Sequence, residues 1–141
     1  MLACAAMLIS WLTVYVPVGT FPEPMTVEEV VPVAGPPGTP PVRVSHVRFV
    51  SDSGAMTIDV TVFDGEPPYP GGPMAIADTE QVAVAGEALA VNWTSMFMGR
   101  AEEVAVTYPA DPAGVGSAMV VVRGTDFAGA LEIIPRLLGG C

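Results

Sequence analysis

The stretch MTIDVTVFDG, Met56 to Gly65, is the segment that decides the fold class. Apolar side chains recur at every second position, which is the period of a strand that buries one face; they are Met56, Ile58, Val60 and Val62. The Asp64-Gly65 dipeptide that follows is a strong turn signal. The stretch therefore predicts a β-strand that ends in a tight turn.

Further short strands are predicted on both sides of this segment, with turns about 8–12 residues apart. They cover residues 42–50, 81–85, 88–94, 104–108, 118–123 and 130–134. Downstream of residue 43 we find no convincing long amphipathic helix, so the pattern favours strands alone. We therefore predict an all-β domain, a β-sandwich, over residues 43–138.

Charge excludes one class of partner. The chain of 141 residues carries 15 acidic residues against five arginines and no lysine, for a net charge of −10. The arginines are scattered singly and form no basic stripe that would neutralise a phosphate backbone. We therefore expect no binding of nucleic acid, and an anionic membrane surface would repel the domain.

The opening run, residues 1–19, contains no charged side chain. As a helix its first eighteen residues would span about 27 Å, close to the ~30 Å of a bilayer core. We predict a signal peptide or a membrane anchor here, although the run has no Lys or Arg before its apolar stretch. The alternative is an ordinary strand of the domain, because the run is also rich in β-branched and aromatic residues.

Residues 20–42 hold seven prolines and three glutamates. Proline cannot donate ladder hydrogen bonds and favours extended, polyproline-like backbone. We predict a Pro-rich acidic linker, with a short strand around residues 25–33.

The segment VRFVSDSGAMTIDVTVFDG, residues 47–65, resembles a family of secreted bacterial and archaeal domains of unknown function. That family has a V-R-x-V strand, a polar turn, and a D-V-x-V strand that ends in Asp-Gly. The matching residues are Val47, Arg48, Val50, Ser53, Asp59, Val60, Val62, Asp64 and Gly65. Residues 82–91 and 120–125 are similar to later strands of the family. The resemblance implies an immunoglobulin-like sandwich exported to the envelope, without established catalysis, and it supplies no catalytic residue.

The sequence offers few candidates for catalysis. His46 is the single histidine, it lies in a predicted strand, and no G-x-S-x-G motif accompanies it. Asp59 and Asp64 are interpreted as a solvent-facing strand residue and a turn residue. A hydrolase with paired carboxylates stays an alternative, since such pairs are defined by their separation in space. We predict no catalytic residue and no cofactor.

Two metal sites are considered. Carboxylates near predicted loops would suit Ca²⁺ if they converged, and they are Asp52, Asp64, Glu66 and Asp78. His46 with Met96 and Met98 offers ligands that Cu(I) prefers, but methionines at alternate strand positions usually fill a core. The sequence leaves the question of a metal open.

Cys4 and Cys141 are the two cysteines. They cannot pair within one chain if the opening run is cleaved or inserted in a bilayer. Cys141 would then be a leftover thiol or would form an intermolecular bridge.

These features together predict a non-enzymatic module, extracellular or envelope-associated, with a structural or adhesive role. Its partner would be a protein or another envelope component, with membrane contact through residues 1–19 if they are uncleaved, and with a homo-oligomer as one possibility. The alternative is a subunit of an extracellular filament or coat that donates its N-terminal segment as a strand. A carboxylate-based hydrolase is the third class.

Overall fold

The computed structural model describes residues 3–9, 11–18, 25–33, 44–64, 76–97, 100–111, 113 and 116–140. In these ranges the chain forms nine strands and one helix. They are β1 (Ala3–Ile9), β2 (Leu12–Val18), β3 (Met25–Val33), β4 (Val44–Ser51), β5 (Thr57–Asp64), β6 (Ile76–Val84), β7 (Glu87–Phe97), β8 (Arg100–Thr107), β9 (Gly116–Arg123) and α1 (Phe127–Gly139).

The strands form two antiparallel sheets in a sandwich-like arrangement, which confirms the prediction of an all-β fold. The small sheet is the β1–β2 hairpin. The large sheet has seven strands in the order β3-β4-β5-β9-β8-β7-β6. All seven strands from β3 to β9 therefore share one sheet, and the hairpin forms the other.

The strand that decides the fold class, β5, lies inside the large sheet between β4 and β9. Val60 is opposite Val47 on one side and Val120 on the other, and all three are buried. Thr57 begins the strand, after the turn formed by residues 51–54. β5 is therefore hydrogen-bonded on both edges, and its alternating apolar side chains belong to the core.

One face of the large sheet is covered by the β1–β2 hairpin and α1. Apolar side chains from β4, β5 and β9 meet those of the hairpin and the helix in one core. The hairpin contributes Ile9, Leu12 and Val14, and the helix contributes Ala130, Ile133, Ile134 and Leu137. Burial of this face is the main source of stability, at about 25 cal/mol for each Å² of apolar surface.

The strand predicted over residues 130–134 is wrong, because these residues belong to α1. Asp126 begins the helix by accepting a hydrogen bond from the Gly129 backbone N–H over 2.8 Å, as an N-cap does. Buried residues recur three and four positions apart from Ala130 to Leu137, which is the helical period. The Ile133-Ile134-Pro135 sequence hides this signal, since β-branched residues favour strands and proline disfavours a helix interior.

The opening run is extended, so the helical conformation considered for it is also wrong. Tyr15 is opposite Ala6, and Val14 is opposite Met7, in a hairpin whose turn includes Trp11. Val14 is fully buried in the core. The strand expected around residues 25–33 is confirmed as β3. The division of the chain at residues 19 and 42, and a signal or anchor role for residues 1–19, stay predictions.

Within the described ranges, no helix has the length and apolar character needed to cross a membrane.

The opposite face of the large sheet carries a smaller apolar cluster. Val104, Val106, Val121 and Phe97 are buried there, and Tyr108 packs against them. Burial raises the pKa of the Tyr108 hydroxyl above its ordinary value, because a low-polarity environment disfavours the phenolate. This second face also holds a group of charged side chains that contact one another.

Candidate functional site

Asp59 is buried, with 5% of its surface exposed, so the prediction that it faces solvent is wrong. It lies on β5 directly opposite Arg48 of β4 and Val121 of β9. Its side chain points to the second face of the large sheet, away from the hairpin and α1, because the core side chains of β5 occupy the alternate positions. A carboxylate in such a position requires compensating donors, since burial of an unpaired charge is very costly.

Three basic side chains supply those donors. Oδ1 of Asp59 accepts hydrogen bonds from His46 Nε2 at 2.9 Å and from Arg48 Nε at 2.8 Å. Oδ2 of Asp59 accepts a hydrogen bond from Nη1 of Arg123. Both carboxylate oxygens are therefore engaged by donors from the two strands that flank β5.

Arg123 extends this arrangement across the sheet. Its Nε donates a hydrogen bond to Glu102 Oε1 over 2.6 Å, and its guanidinium lies 5.5 Å from the centre of the Phe97 ring. Charge-assisted hydrogen bonds and a cation–π contact thus hold one side chain from two directions. We call the set His46, Arg48, Asp59, Glu102 and Arg123 the Asp59 network; it spans the four neighbouring strands β4, β5, β9 and β8.

The geometry of the Asp59 network favours a structural role over chemistry. An ionised carboxylate has only acceptor sites, and those of Asp59 already receive three donors. A general base or a metal ligand needs a lone pair that is directed at a substrate or an ion. The network instead fixes the register of the strands that it joins. A slip of β5 by one residue would carry Asp59 to the face that packs against the hairpin and α1, away from its donors.

The candidate metal ligands are not brought together where the structure describes them. Asp52 lies in the exposed turn after β4, Asp78 lies on β6, and Asp64 ends β5. In the described part of the chain, no group of three or more His, Cys, Asp or Glu side chains has a geometry suited to a metal ion. Glu66, which belonged to the calcium hypothesis, lies outside the described residues.

The copper hypothesis is contradicted by the strand order. His46 is on β4 and Met96 is on β7, so four strand spacings separate them, or about 19 Å. A single ion cannot bridge that distance. Met98 lies outside the described residues, as does Cys141.

The outer edge of β6 is a different kind of site. β6 is the last strand in the order of the large sheet and pairs with β7 alone among the described strands. The six residues from Ile76 to Gln81 are all exposed, on both faces of the sheet. An edge strand presents a row of backbone N–H and C=O groups to any chain that lies beside it.

The other edge of the sheet, β3, carries features that natural sheets use to discourage pairing. Its sequence includes Pro32, which cannot donate a hydrogen bond, together with Glu28 and Glu29. Its register with β4 shifts between Val27 and Glu29. β6 also carries two acids and a register shift, between Ile76 and Asp78, but it contains no proline. Because proline removes a donor from an edge, β6 is, of the two edges, the better acceptor of another strand.

Neither the β6 edge nor the Asp59 network was predicted from the sequence. The strand predicted over residues 81–85 captured only the end of β6, because the acidic and small residues before Gln81 carry little β-propensity. Asp59 was placed on the correct face, but its burial depends on Arg123, which is 64 residues away in the chain. A signal for the Asp59 network was present in two arginines of apolar strands, Arg48 within β4 and Arg123 at the end of β9, but only the strand order shows that they meet.

Comparison of the chain with protein-family models, with curated proteins and with solved structures finds no match. The resemblance to immunoglobulin-like secreted domains stays a prediction. The β6 edge and the Asp59 network are therefore the features from which a function can be inferred.

Proposed function

We propose that this chain is a non-enzymatic β-sandwich module, secreted or associated with the cell envelope, that has a structural or adhesive binding role. The observation that supports a binding role most directly is the exposed outer edge of β6, over Ile76–Gln81. A sheet edge binds an extended segment by adding it as a further strand, with backbone hydrogen bonds providing affinity. The partner would be a protein or another envelope component.

The state of the carboxylates supports a non-enzymatic role. Asp59 is buried and already accepts three hydrogen bonds, so it is poorly suited to exchange a proton with a substrate. Glu102 is engaged by Arg123. A hydrolase that uses these two carboxylates would first have to break the Asp59 network, which makes that alternative the weakest.

The location is tested by recovering the protein from its native host, separated into membrane, soluble and medium fractions, followed by N-terminal sequencing and intact mass. We expect the protein in the medium or the membrane fraction. A mature chain that begins after about residue 18 would identify a cleaved signal, and an uncleaved chain in the membrane would identify an anchor. Recovery only from the soluble cell interior would contradict the proposed location.

A filament or coat subunit is the second candidate, and one observation favours it. Residues 3–9 and 12–18 are extended, which is the conformation that a donated strand requires. The test is sedimentation at rising protein concentration, for the full chain and for a variant without residues 1–19. This candidate would be favoured over the module by three results together. The full chain forms polymers, the shortened variant does not, and a synthetic peptide of residues 1–19 restores them.

A further inference from the structure

We propose that the outer edge of β6 binds a basic polypeptide segment in extended conformation, in which Lys or Arg occupies alternate positions. This inference rests on the proposed function and adds the chemical class of the partner. The exposure of β6, its charge and the difference between the two sheet edges support it.

Exposure leaves room for another strand along most of β6. From Ile76 to Gln81 every side chain is exposed, and 53% of the Ile76 surface is open to solvent. An added strand would lie about 4.8 Å from β6, and its alternate side chains would pass on both faces of the sheet. Towards the end of β6 the sheet is covered by α1, since Gly139 lies near Val84 and Ala85. The open part is therefore residues 76–81.

The charge of this surface has one sign. Asp78 and Glu80 are exposed on the open part of β6. Residues 76–97 contain no Lys, Arg or His. Every charged side chain that a basic partner would meet here is therefore acidic. The net charge of −10 would also favour its approach.

The spacing of the acids matches that of an added strand. Asp78 and Glu80 are two residues apart on one strand, so they lie on the same face and about 7 Å from each other. Alternate side chains of a neighbouring strand have the same spacing and come within reach of them. Two basic residues separated by one position are thus the complement of this edge.

A second copy of the chain is the less favourable occupant. Pairing of β6 with another β6 would bring Asp78 and Glu80 close to their own equivalents, and like charges across strands are destabilising. Pairing of β6 with β3 is disfavoured because β3 contains Pro32, which cannot donate a hydrogen bond to a ladder. Charge complementarity therefore favours a foreign, basic segment.

The test uses three short synthetic peptides labelled with a fluorophore, in which valine alternates with lysine, with serine or with glutamate. Binding to the full chain is measured by fluorescence anisotropy at low and at high salt. We expect the lysine peptide to bind, the glutamate peptide not to bind, and the affinity for lysine to fall as salt screens the charges. The double variant Asp78→Asn with Glu80→Gln should weaken binding of the lysine peptide roughly tenfold.

A matched control changes the charge by the same amount at a different place. Glu103→Gln with Glu132→Gln removes two exposed acids, on β8 and α1, that do not belong to the β6 edge. We expect this double variant to bind the lysine peptide almost as tightly as the unmodified chain. An equal loss in both double variants would show that net charge alone attracts the peptide, and it would overturn the proposed site.

Proline at the edge tests strand addition itself. Neighbouring residues of an edge strand direct their N–H groups to opposite sides, so one of Thr79→Pro and Glu80→Pro removes a donor from the outer edge and the other disturbs pairing with β7. The variant whose unfolding midpoint is unchanged is the one to use, and it should lose binding of the lysine peptide. Retained binding in that variant would overturn the proposal.

The outcomes separate the two levels of inference. If the serine peptide binds as tightly as the lysine peptide, and proline abolishes both, the edge is a docking site but the basic partner is wrong. If none of the peptides binds, the acids of β6 protect the edge against pairing and the basic partner is again wrong. Neither result affects the fractionation test of the proposed function.

Discussion

The indole ring of Trp11, in the turn between β1 and β2, lies directly against the backbone of Gly116 at the first position of β9. A Cβ atom at residue 116 would come within 2.3 Å of Trp11 Nε1. A single substitution at residue 116 can therefore test whether the hairpin packs on β9 in this way.

Gly116→Ala should destabilise the protein because its methyl group would overlap the indole ring. Overpacking of this kind costs typically about 1–3 kcal/mol. The measurement is the free energy of unfolding from urea denaturation followed by Trp fluorescence. Trp11 and Trp93 are the two indoles of the chain, so the fluorescence change should also include a shift from displaced Trp11.

Gly139→Ala is the matched control for that variant. Its new Cβ would make only ordinary contacts, at 3.7 Å from the Ala85 backbone nitrogen and from Val84 Cγ1. Alanine is favoured over glycine in a helix by about 1 kcal/mol, so this variant should be neutral or slightly more stable. If Gly116→Ala is as stable as Gly139→Ala, the hairpin does not pack on β9 through Trp11.

Asp59→Asn should be among the most destabilising polar substitutions in the chain. Asparagine keeps the size of the side chain but removes the buried negative charge that His46, Arg48 and Arg123 share. Because the three basic partners are partly exposed, we expect a loss of about 1.5–3 kcal/mol, the usual contribution of hydrogen bonds to a charged group. Chemical denaturation of the variant measures this loss.

Arg48→Gln and Asp52→Asn provide the comparison for Asp59→Asn. The Arg48 side chain is 45% exposed, and exposed ion pairs contribute only about 0–1 kcal/mol. Arg48→Gln should therefore cost less than Asp59→Asn, because water can replace part of the hydrogen bonding that Asp59 loses. Asp52 is exposed in the turn after β4 and should tolerate the change. Equal effects of Asp59→Asn and Asp52→Asn would mean that the Asp59 network does not contribute to stability.

The all-β class and the position of β5 were predictable because the alternation in residues 56–63 depends on burial of one face, which sequence records directly. The opening hairpin was only an alternative, since residues 1–19 are apolar on nearly every position and an apolar run without a clear period fits helix and strand alike. The Asp59 network was not predictable. It joins residues of four strands, and their meeting depends on a strand order in which β5 pairs with β9 rather than with β6.

The helix α1 was missed for a local reason that can be tested. Pro135 lies inside it, where proline removes a hydrogen bond to the carbonyl of Leu131 and costs about 3 kcal/mol relative to alanine. Pro135→Ala should therefore stabilise the protein, by about 1–3 kcal/mol, and should increase the helical signal in circular dichroism. Thermal unfolding measures the first effect.

Glu132→Ala serves as the control for Pro135→Ala, because Glu132 is exposed on the same helix and both residues have good helix propensity. This variant should change stability by less than about 0.5 kcal/mol. A loss of stability in Pro135→Ala would show that packing of the half-buried proline ring outweighs the missing hydrogen bond.

The raised pKa of Tyr108 predicts how stability depends on alkaline pH. Burial of the hydroxyl favours its neutral form in the folded state, so the folded protein keeps this proton at pH values where the unfolded chain, with the ordinary value of 10.0, loses it. Where the unfolded chain binds fewer protons, the free energy of unfolding falls as pH rises. The contribution of Tyr108 is therefore fully present below pH 10.0 and decreases as pH rises through its folded-state pKa.

Tyr108→Phe removes the titrating group and keeps the ring that packs beside Val104 and Val106. Urea denaturation of both proteins just below and just above the pKa of free tyrosine, about 10, should give a steeper loss of stability for the unmodified chain. Absorbance of the phenolate should likewise show one tyrosine that titrates at higher pH in the unmodified chain and is missing from the variant. Parallel stability curves for the two proteins would contradict the burial of Tyr108 against the second face of the sheet, because an exposed tyrosine has the same pKa before and after unfolding.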